Sequence, residues 1–193
     1  YTTSPLDFDA GFQQFKETSP EIAAWINRIP KEKWSLAYDE DGRRFGHMTT
    51  NLSKVFNKVL KGARNLPITS LVRFTYARLV AYFLQHHQEA VEEVARGNQF
   101  TKVVWQKYLT GLERSGSHSV VAYDAMHIRF EVQESYNIRT HQAGKKWWVS
   151  LAERKCQCGE FTALRFPCSH VIVACRSIHV DATQYIDPVF SLA

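Results

Sequence analysis

Four side chains near the carboxyl end have the types and spacing for metal chemistry. In the run RKCQCGEFTALRFPCSHVIVACRSIH, from Arg154 to His179, Cys156 and Cys158 form a Cys-x-Cys pair, nine residues intervene, and Cys168 and His170 form a Cys-x-His pair. Three thiolates at about 2.3 Å and one imidazole nitrogen at about 2.0 Å make the closed tetrahedron of structural zinc, with no position open for water or substrate. Such a Zn²⁺ organises the chain and does not catalyse. Arg154, Lys155 and Arg165 lie close enough in sequence to offset the excess thiolate charge. The alternative reading of the same residues is a set of buried free cysteines or a disulfide. All four cysteines fall in the last 38 residues, whereas a secreted disulfide scaffold spreads and multiplies them. Metal in a reducing compartment is the expectation. Cys175 lies seven residues beyond Cys168, about 10 Å along a helix, too far to join the tetrahedron, so it is assigned to the core. His47, His86, His87, His118, His127, His141 and His179 have no partners at ligand spacing and none is proposed as a ligand.

These ligands need elements to carry them. Residues two apart on a strand point the same way, so Cys156 and Cys158 can turn both sulfurs to one point at a hairpin tip. Gly159 then permits the turn, Glu160 to Phe166 returns as the second strand, and Pro167 ends it. Ser169 reads as a helix cap, placing Cys168 and His170 at the start of a helix through Val171, Ile172, Ala174, Cys175 and Ile178. Upstream, Ser119 to Tyr123, His127 to Gln133, Tyr136 to His141 and Lys146 to Ala152 read as a meander of short antiparallel strands. In the tandem Trp147 and Trp148, opposite strand faces leave one ring exposed.

The first hundred residues carry helical spacing instead. Phe8, Phe12 and Phe15 mark one helix; Pro20 starts another, with Ile22, Trp25, Ile26 and Ile29 as its stripe, and Pro30 ends it. A third runs from Thr50 or Asn51 to Gly62, with Leu52, Val55, Phe56, Val59, Leu60 and Ala63 on one face and Lys54, Lys58, Lys61 and Arg64 opposite. From Ile68 to about Arg96 the pattern gives one long helix or two, closing at Gly97. The fold class expected is α+β: a helical segment over 1–100, then a β-rich segment over 101–193 ending in a ββα zinc finger at about 145–180.

The 193 residues carry a net charge of +5, with 45% hydrophobic and 22% charged residues. That composition belongs to a folded chain of one or two domains. No run approaches the roughly 18 apolar residues of a membrane span, so no membrane partner is expected. The opening Tyr1 suggests a piece of something longer. Residues 49–155 hold 16 basic and 8 acidic side chains, while the flanking segments are slightly acidic. A basic middle suits a polyanionic partner. The stripe Lys54, Lys58, Lys61 and Arg64 is one candidate phosphate-contacting surface, although such a stripe also reads as the solvated side of a helix. Lys145, Lys146, Arg154 and Lys155, with the two tryptophans among them and Arg165 beyond, form the other.

The Cys-x-Cys, Pro-Cys-x-His and following apolar helix resemble a SWIM zinc finger of the plant Mutator-transposase type. The segment HMTTNLSKVFNKVLKGARNLPIT, His47 to Thr69, is similar to the last block of the catalytic domain of plant Mutator-like transposases, and IPKEKWSLAYDEDGRRFGH before it is of the same type. The resemblance implies a ribonuclease-H-like nuclease whose carboxylates hold divalent metal ions. In this chain the Asn-x-x-Glu pattern reads Asn51-x-x-Lys54, and an ammonium cannot ligate Mg²⁺. The expectation is a zinc-binding, catalytically inactive, nuclear module whose partner is DNA, with no small-molecule substrate. Two alternatives stay open: a zinc-stabilised protein-interaction module, and the C-terminal part of an active transposase.

Overall fold

The computed structural model describes residues 2–47, 54, 57, 58, 61–63, 65–136 and 143–192. Two compact units divide the chain: Tyr1–Met48 with Trp105–Val189, and Thr49–Val104 with Phe190–Ala193. The first 48 residues therefore share a unit with the strands. Among the described residues no helix is long and apolar enough to cross a membrane.

In the first unit, helix α1 (Pro5–Thr18) starts where Ser4 Oγ accepts the Asp7 N–H at 3.3 Å and Pro5 supplies a preset φ. Its Phe8 and Phe12 stack on each other and meet Trp34, and Phe8 also meets Tyr38, closing a small aromatic core. Helix α2 (Pro20–Ile26) follows at Pro20. In the second unit, α3 (Ile68–Ala95) is one continuous helix, and Gly97 turns away from it at φ +80°. Of the expected helix before it, Lys54, Asn57 and Lys58 are helical. Leu52, Val55, Phe56, Val59, Leu60 and Arg64 lie outside the described residues.

The β-rich segment does not begin directly after residue 100. Lys102–Ser115 forms helix α4, to which the sequence reading assigned no element. Its inward positions are Tyr108, Gly111 and Ser115, small or polar residues, while Val103, Trp105, Leu109 and Leu112 are exposed. Val104, Trp105, Tyr108, Leu109 and Leu112 recur at helical spacing and announce it, although Trp105, Leu109 and Leu112 stay exposed.

Strands β1 (His118–Asp124), β2 (Arg129–Glu134), β3 (Lys146–Ser150) and β4 (Lys155–Cys156) make one antiparallel sheet in sequence order. A bulge in β1 lies between Val120 and Ala122. Phe130 pairs with Val149 and Val132 with Trp147, and all four are buried on the inner face. Burying such side chains stabilises the unit by about 1.5–3 kcal/mol each. Trp148, on the other face, stays 45% exposed. The expected strand Tyr136 to His141 is not formed at Tyr136, and residues 137–142 lie outside the described residues.

The finger differs from the expected hairpin. Glu160–Leu164 is a short helix, α5, and not a returning strand. Gly159 at φ +77° sends the chain into a turn, Ala163 N–H closes on the Gly159 carbonyl at 2.9 Å, and Phe161 and Ala163 drop into the core together. The strand that pairs with the first cysteine precedes it: Val149 of β3 faces Cys156 of β4. Helix α6 (Ser169–Ser177) is buried from Ser169 to Cys175 and packs on β1, β2 and β3. Gly111 of α4 allows close approach, since a Cβ there would lie 3.0 Å from Ile172 Cδ1.

Candidate metal centre

Three pieces of backbone deliver the four ligands. Cys156 ends β4, Cys158 sits in the turn after it, and Cys168 caps α6 with His170 in that helix's first turn. Pro167 is fully buried just before the cap and cannot continue a preceding helix. A helix start places unpaired N–H groups near Cys168, a setting that favours thiolate charge. One ligand atom from each of the four residues lies within 4.8 Å of the others. All four residues are buried, at 5–9% exposure. No cysteine is in a disulfide, so the paired-cysteine alternative does not describe this chain.

The distances suit a shared ion. His170 Nδ1 lies 3.7 Å from Cys156 Sγ and 3.8 Å from Cys168 Sγ. Zinc bond lengths in a regular tetrahedron put sulfur and nitrogen ligands roughly 3.5 Å apart. The protonation pattern reflects the crowding of sulfur. Hydrogen bonds from Cys156 and then Cys168 hold the Cys158 thiol far below its usual range. Sharing that bond with Cys158 pushes Cys156 up, and burial, then its two sulfur neighbours, pushes Cys168 up. Burial works against a charged His170, yet Cys158 and Glu134 outweigh it and raise its pKa. Three thiolates brought this close repel one another, and a divalent cation offsets that charge.

Cys175 is fully buried, outside this cluster, and burial pushes its thiol up to about 12. It behaves as a small apolar side chain.

The structure adds residues that the sequence reading left out. His170 Nε2 is 3.0 Å from Glu134 Oε1, and that oxygen also accepts the Trp147 indole N–H at 2.8 Å. The His118 ring stacks on His170 at 5.0 Å, and its Nε2 is hydrogen-bonded with Ser169 Oγ at 3.0 Å. Glu134 had a signal: it is in phase with Phe130 and Val132, so strand alternation aims a carboxylate at the core. His118 had none, because its partner is 51 residues away.

The basic residues around the finger are engaged, and all but the half-buried Arg165 are exposed. Lys145 pairs with Asp7 at 2.8 Å, Lys146 with Glu131 at 3.2 Å, and Lys155 with Glu153 at 3.9 Å. Arg154 lies over the Tyr185 ring, and Arg165 pairs with Asp187 and donates to the Asp41 carbonyl. Lys54, Lys58 and Lys61 are exposed in the second unit.

The donor set and the geometry define a closed, buried Cys3His centre, the class of site that holds structural zinc. A family model of the SWIM zinc finger matches residues 147–179, which span β3 to the end of α6 and all four ligands. This segment is a zinc finger, and its cofactor is Zn²⁺. No curated protein and no solved structure matches the chain.

Proposed function

We propose that this chain is a non-catalytic, zinc-stabilised nucleic-acid-recognition module, part of a nuclear protein derived from a plant Mutator-like transposase, with DNA as its partner. The observation that carries the reading is the outer face of the sheet. Strand alternation puts Lys146 and Trp148 of β3 there, Ser150 pairs with Lys155, and Arg129 stands opposite Ser150 on β2. A half-exposed indole among three cations is a platform on which a base stacks while phosphates meet ammonium and guanidinium groups. The pairs Arg129 and Lys155 make with Glu153 are exposed, contribute about 0–1 kcal/mol each, and exchange readily for phosphate, while Lys146 is itself exposed against a half-buried Glu131. Zinc, with every coordination position filled by protein, supplies rigidity to this platform and no Lewis acid to a substrate. Lys54 at the transposase carboxylate position supports catalytic inactivity.

Fluorescence anisotropy on labelled DNA tests the proposal. Binding is expected to weaken steeply as salt rises, and K146E/K155E is expected to weaken it with little change in folding. Absent or salt-insensitive binding overturns the reading. Nicking of DNA by the protein with Mg²⁺ overturns the inactivity.

One observation favours a protein partner instead. Trp148 also borders a groove of about 710 Å³, shared with Leu6, Leu36, Arg129, Glu153 and Lys155, whose apolar walls and mixed charges suit a peptide. Salt-insensitive capture of such a peptide, without DNA binding, marks that reading.

A further inference from the structure

We propose that Glu134 is a positioning residue that fixes the tautomer of His170, so that Nδ1 and not Nε2 is the nitrogen that binds the metal. The inference rests on the zinc-finger reading and goes beyond it, because the Cys3His motif does not say which nitrogen ligates.

The ring's two nitrogens face different groups. Nδ1 points at the sulfurs, 3.7 Å from Cys156 and 3.8 Å from Cys168, while Nε2 points away from them at the Glu134 carboxylate, 3.0 Å distant. An ionised carboxylate only accepts hydrogen bonds, so Nε2 carries the proton and Nδ1 presents its lone pair.

Glu134 is itself held in place. The indole Nε1 of Trp147 can only donate, and it does so to the same Oε1 at 2.8 Å, while the Lys145 N–H donates to Oε2 at 3.4 Å. Trp147 is buried, and it lies across from Val132, two residues before Glu134 on β2. The carboxylate is therefore set by the β2–β3 pairing and not by the ligand-bearing segment 156–170. The ring plane is constrained from a third side by His118, stacked at 5.0 Å with 16° between planes. A flip of the ring within its own plane would set Cδ2 toward the sulfurs and Cε1 toward the carboxylate, losing both polar contacts.

Two measurements on the full chain decide it. With isotopically labelled histidine and NMR-active cadmium in place of zinc, the metal is expected to couple to His170 Nδ1, with a slowly exchanging proton on Nε2. Coupling to Nε2 overturns the inference and leaves the zinc site standing; a wild-type chain that takes up no metal overturns both. In competition with a chromophoric chelator, E134A is expected to weaken zinc affinity about 10- to 100-fold, and E134Q, whose amide oxygen still accepts, to recover most of it. Equal loss of thermal stability with and without metal, at unchanged zinc affinity, assigns Glu134 a packing role only and overturns the proposal. If E134A fails to fold, E134Q and the wild-type coupling carry the decision.

Discussion

Each of the four ligands has a separate job, and removing one exposes what the metal does. In Cys168→Ser the tetrahedron loses a thiolate at the joint between Pro167 and α6. Structural zinc sites in finger peptides supply on the order of 10 kcal/mol of apparent binding energy, so this substitution is expected to abolish stoichiometric zinc and to lower the unfolding midpoint. Elemental analysis and a thermal scan check both; Cys175→Ala, outside the cluster, is expected to keep full zinc content. A second residue-scale prediction concerns acid. Lys31, then Tyr38, hydrogen-bonds Asp9 and holds its pKa below the ordinary value. A depressed folded pKa adds stability above the unfolded value, near pH 4, and that stability is lost as pH falls through the folded value. Asp9→Asn is expected to flatten the acid limb of a plot of unfolding midpoint against pH, while changing the shape little above about pH 6.

At the scale of elements, the finger depends on a turn that only glycine fits. Gly159 has φ +77°, and a Cβ there would run into the Thr3 carbonyl, whose own Oγ1 donates to the Cys158 carbonyl at 2.9 Å. Gly159→Ala is expected to cost about 1–3 kcal/mol from the backbone conformation alone, with a further loss from displacing residues 2–4. Denaturant unfolding measures it; a neutral result shows that the turn relaxes. Much of this element-scale architecture was legible. The strand around Phe130 alternates cleanly, and the apolar period over 68–95 marks a helix, although the spacing left open whether one or two, which the structure resolves as one. The errors have physical causes. Glu160 to Phe166 has Phe161, Ala163 and Phe166 buried, a spacing compatible with strand or helix, and the left-handed Gly159 decided for helix. Helix α4 had its signal in Val104, Trp105, Tyr108, Leu109 and Leu112; placing the change of period at Phe100, ahead of it, left it unassigned.

For the whole molecule, zinc locks a short segment on which distant parts of the chain pack. It ties the end of β4 to the start of α6, α6 covers the inner face of the sheet, and Thr3 anchors the amino-terminal segment to the knuckle. Chelation under reducing conditions is therefore expected to raise hydrogen exchange in β2, β3 and α1 as well as in residues 156–170. Exchange confined to the ligand loop would show that the sheet and aromatic cluster stand without metal.

The four ligands were fixed by type and spacing alone, since a tetrahedral ion demands a small set of donors and short loops limit where they come from. The exposure of one of two adjacent tryptophans follows from an equally local rule, whereas Ser169, expected as the helix cap, is the first helical residue behind Cys168 and its hydroxyl is bonded with His118 instead. Tertiary structure alone decided which carboxylate meets His170, which nitrogen of that ring faces sulfur, and which acids answer Lys145, Lys146 and Lys155. Except for Lys155, whose partner Glu153 is a near neighbour in sequence, those contacts join segments well separated along the chain, 36 residues for His170 and Glu134 and 138 for Lys145 and Asp7, and no local pattern encodes them until the sheet has paired and α6 has closed over it.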